Sequence, residues 1–147
     1  MPTPTSAALE NLAKSAVRNA GLEGEDAPAL GTAMADLLAQ VLQIFAGQTM
    51  VLPGIPAAVN PTSGTGSTVG PGTLLPPPAG GPNAATIEPL ALGALQGAGL
   101  KGEDIPKLAG ALADTIEVGL TMFCAQALVS PGITVAGFAT AAPGRLS

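Results

Sequence analysis

The sequence predicts a mainly α-helical chain made by tandem duplication. Each copy is a helical hairpin followed by an extended Pro/Gly-rich arm with minor β pairing. Three observations support this. Residues 9–56 recur at 87–134, 78 residues downstream, with 22 of 48 aligned positions identical. NAGLEGEDAPALGTAMAD (19–36) returns as GAGLKGEDIPKLAGALAD (97–114), and QTMVLPGI (48–55) as QALVSPGI (126–133). Self-similarity at a fixed spacing outranks local signals when a fold is read. Within each copy, apolar residues recur at helical spacing. After each Pro-Gly-Ile, Gly, Pro, Ser and Thr take over, and PGTLL (71–75) is echoed by PGRLS (143–147), closing a second arm about seven residues shorter. The organisation follows: 1–75 is the first copy, 76–83 a Pro/Gly hinge, and 84–147 the second copy.

The first helix is expected over about 7–20, with Leu9, Leu12, Ala16 and Val17 on one face. Its counterpart is expected over about 85–98, with Ile87, Leu90, Ala94 and Leu95 in the same places. Ala-Gly-Leu follows both (20–22 and 98–100), its Gly suited to a left-handed C-cap. Gly-Glu-Asp (24–26 and 102–104) and then Pro28 or Pro106 read as the start of the next helix, where free N–H groups and the dipole favour acids and Pro fits the first turn.

The longer helices are expected over about 27–50 and 105–128. Leu30, Met34, Leu37, Val41, Ile44 and Phe45 make a stripe that Leu108, Leu112, Ile116, Leu120 and Phe123 repeat. The opposite faces carry Ala, Gly, Gln and Thr, and a helix without a strongly charged face tends to be buried all round. Each ends at a Pro-Gly turn, Pro53-Gly54 or Pro131-Gly132. In the arms, Val51, Ile55, Val59 and Val69, and Val129, Ile133, Val135 and Phe138, are candidates for β pairing with a neighbour. PPPAGGP (76–82) has spacer composition.

Composition limits the function classes. Net charge is −5, mean hydropathy +0.47, and only 10% of residues are charged, against about a quarter in ordinary domains. Units of about 70 residues bury a modest fraction of their surface, and exposed apolar patches mark interaction sites. Burial against other chains is the expected remedy. The five bases are scattered, so no nucleic-acid partner is expected. Cys124 is the single cysteine; it reads as a small buried hydrophobe, with an intersubunit disulfide as the alternative. MPTPTSAALENLAK lacks the basic and apolar regions of a secretory signal. The uncharged stretches 37–87 and 118–142 approach membrane-span length, but Pro-Gly breaks both, and Gln and Thr dilute them.

Catalytic chemistry lacks its parts. There is no His, and Cys124 has Ala46 as its counterpart in the other copy. Glu25-Asp26 and Glu103-Asp104 serve helix starts more economically than a metal. GTGSTVG (64–70) lacks the Gly-Lys-Ser/Thr of a phosphate loop. The expectation is a non-enzymatic protein with no cofactor and no metal.

The duplication, the arms and the Ala/Gly/Pro richness together resemble small bacteriophage virion structural proteins, either capsid cement or a tail or baseplate component. That resemblance implies location in a virion, with partners among copies of itself or other particle subunits. It carries over no functional residue. Interface contacts are expected from Leu37, Val41, Phe45, Ile55, Ile116, Leu120, Phe123 and Ile133, with Pro53, Gly54, Pro131 and Gly132 shaping the helix-to-arm turns. Two other classes are a membrane-active, holin- or pore-like helical protein and a helical adaptor that grips a peptide.

Overall fold

The computed structural model describes residues 3–22, 24–137, 139–140 and 146. Helices α1 (Ser6–Asn19) and α2 (Ala27–Gln48) form the first hairpin, and α3 (Ala84–Gly97) and α4 (Ile105–Gln126) the second. The arms contribute β1 (Ala57–Val59), β2 (Thr65–Thr68), β3 (Gly72–Thr73), β4 (Leu128–Val129), β5 (Thr134–Ala136) and β6 (Ala139–Thr140). The chain is mainly α with minor β pairing, as the sequence predicts.

Equivalent sequence makes equivalent local structure. Thr5 caps α1 by accepting from the Ala8 N–H, and Asn83 caps α3 by accepting from the Thr86 N–H. Both short helices end in the same reversal. Gly21 and Gly99 sit at φ 73° and 84°, and Leu22 and Leu100 N–H groups donate to the Val17 and Leu95 carbonyls at 3.2 and 3.1 Å. That is the glycine-terminated motif that satisfies the last free carbonyls of a helix. Asp26 and Asp104 occupy the N-cap positions of α2 and α4, but neither side chain makes the cap hydrogen bond expected of it. Their backbone is already helical there, which turns the carboxylate away from the free N–H groups; Asp104 instead pairs with exposed Lys107 at 2.8 Å.

Each hairpin is fastened differently. In the first, Glu10 accepts from Lys14 at 2.6 Å and from the Thr32 hydroxyl at 3.2 Å, tying α1 to α2. Gly31 allows the close approach, since a Cβ there would lie 2.8 Å from Lys14 Cγ. In the second, Glu117 reaches back from α4 to accept from the Ala84 N–H at 3.1 Å.

The core lies where the hairpins meet, α2 packing against α3. It contains Leu37, Val41, Phe45, Ile87, Ala91, Leu95, Ala113, Leu120 and Cys124, joined by Leu74, Val129 and Ile133 from the arms. Phe45 and Phe123 meet edge to face, centroids 5.9 Å apart.

The end of the segment 76–83 is packed against its surroundings. Gly80, Gly81 and Pro82 are buried. A Cβ on Gly80 would collide with the Leu75 backbone, and one on Gly81 would lie 2.8 Å from the Phe45 ring. Glycine here marks lack of room, against Leu75 at Gly80 and against α2 at Gly81, where its composition alone suggested freedom.

Candidate assembly surface

Four strands form one sheet in the order β1-β2-β5-β6, all antiparallel; β3 and β4 form a second, extended by bridges Val51↔Leu74 and Val129↔Leu146. The bridges are repeat-equivalent, joining the start of each arm to its closing Pro-Gly-x-Leu. So are Ala57↔Thr68 in the first copy and Val135↔Thr140 in the second. These pairings place the shortening of the second arm between its two strands and set it at six residues (68 − 57 = 11 against 140 − 135 = 5).

Both sheets have one plan. Two strands of the first copy come first, then two of the second, and the second strand of copy one pairs with the first strand of copy two. In the larger sheet that junction is β2–β5, with Thr65↔Ala136, Gly66↔Val135 and Ser67↔Thr134. In the smaller it is β3–β4, with Gly72↔Val129 and Thr73↔Leu128.

Thr68 is the fastening point. Its N–H donates to the Ile133 carbonyl at 2.9 Å and its carbonyl accepts from the Gly132 N–H at 2.7 Å. Its hydroxyl oxygen accepts from the Ile133 N–H at 3.0 Å. Gly132 holds φ 93°, which a side chain rarely tolerates, and this aims its N–H and that of Ile133 at the arm. Among the described residues, Thr68 is the buried polar one. Pro131-Gly132 therefore shapes a turn, as expected, and that turn also receives the first copy's arm. Pro53-Gly54 makes the same turn, with Gly54 at φ 96°.

The eight residues expected at interfaces divide. Leu37, Val41, Phe45, Leu120 and Ile133 are buried within the chain's own core, and Ile116 packs against it. Ile55 is half-buried, its side chain lying beside Gly72. Phe123 is the exception, 44% exposed where its counterpart Phe45 is 2% exposed. The correction has a simple cause: an apolar stripe needs a cover, and for copy one that cover is copy two. The arm residues expected to pair with a neighbour likewise pair within the chain, Val129 and Val135 in the inter-copy ladders and Val51 and Val59 with their own arm. Phe138 lies outside the described residues.

Sequence reasoning missed Thr68, Gly72, Gly80 and Gly81. A signal was present for Thr68: counting back from the closing Leu74 and Leu146, it matches Thr140.

No family model, curated protein or solved structure matches this chain.

Other features of the surface are apolar. One face of α4 presents Val118, Met122 and Phe123 to solvent, and α1 presents Leu12 at 68% exposure. An apolar groove of about 430 Å³ runs between α1, α2 and α4, lined by Leu9, Leu12, Met34, Leu38, Leu112 and Ile116. Both α2 and α4 are long and apolar enough to cross a membrane, though the α2 stripe is occupied inside the fold. Among the described residues, no group of three or more His, Cys, Asp or Glu is placed to hold a metal ion. Cys124 is buried, and loss of water raises its thiol above the ordinary cysteine range.

Proposed function

We propose that this chain is a non-enzymatic structural subunit of a large symmetric assembly, a bacteriophage virion being the class of particle it resembles. Its place there is capsid cement or a tail or baseplate component. The supporting observation is the inter-copy junction. A Gly/Pro-rich arm leaves one unit and is stitched, by two β ladders and the Thr68 contacts, onto the next unit of the same kind. Arm exchange between repeated units is how a shell or ring gains cohesion without large globular interfaces. The exposed apolar face of α4 adds surface suited to burial against neighbours.

The test is electron microscopy of the native complex recovered with a tagged chain. A symmetric particle or ring carrying the chain at fixed positions supports the reading; recovery of the chain as a lone, monodisperse monomer with no particle opposes it. The alternative is a membrane-active helical protein, favoured by the length and apolarity of α2 and α4. Flotation with phospholipid vesicles separates the two, since a subunit of a particle stays in the soluble or particulate fraction.

A further inference from the structure

The inter-copy junction has an unfilled twin. In copy two, the edge formed by Val129, Gly132, Ile133 and Val135 receives the arm of copy one. The repeat-equivalent edge of copy one is Val51, Gly54, Ile55 and Ala57. It already has the receiving shape, Gly54 matching Gly132 in φ to within a few degrees (96° and 93°).

Its backbone groups point outward. Leu52 N–H donates to the Thr73 carbonyl and Leu75 N–H to the Met50 carbonyl, both at 2.9 Å. These bonds flank Val51, so the alternation of an antiparallel strand directs its own N–H and C=O to the opposite edge. Val69 N–H donates to the Pro56 carbonyl at 2.8 Å, and the same alternation turns Ala57 outward. Among the described residues, the N–H groups of Val51, Gly54 and Ile55 have no hydrogen-bond partner.

A pseudo-twofold relation would fill both junctions at once. Here only the copy-one-to-copy-two junction is made, and β1 and β6 are left as the outer strands of the larger sheet. The relation is head to tail. The helices tell the same story: the face of α2 bearing Leu37, Val41 and Phe45 is buried, whereas the matching face of α4, Thr115, Gly119 and Phe123, is exposed.

We infer that a second copy of this chain completes the unfilled junction, adding the outer strands of its second repeat (β6 and the strand at Leu146) to the Val51–Ala57 edge. This names the partner within the assembly reading and rests on it. The occupant follows from the chain's own junction, because a second copy offers the same strand order that β5 and β4 already accept. Head-to-tail contacts of this kind do not stop at two; they close into rings or run on as filaments. An exposed, unpaired edge invites such addition.

The experiment is sedimentation velocity on the full-length chain from low to high micromolar, beside the Val51→Pro, Ala57→Pro double variant. Proline is tolerated where the N–H faces outward at an edge, so helix content and melting should match the parent while two donors to the neighbour are lost. Parent chain in rings or growing oligomers, with the variant's self-association weakened by at least about tenfold, is the expected result. A synthetic peptide of residues 66–74, the strand that copy two already accepts, provides a probe independent of the variant's folding. It should shorten the oligomers and shift the amide resonances of Val51, Gly54 and Ile55. A parent that is monomeric throughout, a parent that saturates as a twofold dimer, or oligomers untouched by both variant and peptide each overturn the inference. A chain that is monomeric alone yet sits in a particle overturns this pairing and leaves the assembly reading standing. A chain that polymerises head to tail but belongs to no particle does the reverse.

Discussion

Thr68→Val tests whether the first arm is truly fastened to the second copy. Valine keeps the shape and removes the oxygen that accepts from the Ile133 N–H at 3.0 Å. Thr68 is 4% exposed and Ile133 8% exposed, so water does not readily replace the lost acceptor. A buried donor left without a partner costs about 1–3 kcal/mol. Because about 1.4 kcal/mol is a factor of ten, exchange of the Ile133 amide should speed up by roughly 5- to 150-fold. If the arm unfolds together with the whole chain, the same loss lowers the melting temperature by about 3–10 °C, taking about 2.1 cal/mol/K per residue for the unfolding entropy. Hydrogen exchange at Gly132, Ile133 and the β2 amides, with a calorimetric melt, reads both. Unchanged exchange at Ile133 would refute the fastening role, whatever the melt shows.

Other expectations follow from single contacts. Gly81→Ala should destabilise by about 1–3 kcal/mol through overpacking, because the methyl would lie 2.8 Å from the Phe45 ring; a thermal melt checks this. Leu37→Ala, at a side chain 2% exposed, should cost about 2–5 kcal/mol in a urea titration. Hydrogen bonding from Lys14, then its charge, then the Thr32 hydroxyl hold the Glu10 carboxyl below its ordinary value. A depressed folded pKa means that this contribution is present above the unfolded carboxylate pKa and is lost as pH falls through the folded one. Lys14→Met should move the Glu10 titration, followed by NMR, back up towards the ordinary carboxylate range. Cys124 should react with a disulfide reagent at a rate set by unfolding, since it is buried and its thiol is raised; rapid labelling of the native chain would contradict the packing.

The helices were legible because their signals are local. Apolar spacing, a glycine at the C-terminus and a proline in the first turn act within a few residues, and α1 to α4 fall within one or two residues of the expected spans. Arm pairing was not legible, because which strand lies beside which depends on contacts far apart in sequence. Thr68 meets Ile133 across 65 positions, and nothing near either residue names the other. Composition also says little at Gly80 and Gly81, which have the residue type of a spacer but serve close packing. The apolar stripe of Leu37, Val41 and Phe45 showed that a cover was needed without showing which surface supplied it. The divergence of the copies held a clue, since Thr115 and Gly119 stand in α4 where α2 has Leu37 and Val41. A face that keeps its large apolar residues in one copy and loses them in the other occupies two different environments.

In the inferred assembly, the unit-to-unit junction seen once within the chain continues between chains. Electron microscopy of the self-assembled, full-length chain tests it most directly. Expected are rings or filaments in which each chain supplies two similar lobes and every lobe-to-lobe contact, within or between chains, has the same geometry. A closed dimer with a twofold axis, or alternating contacts of two unrelated kinds, would contradict it.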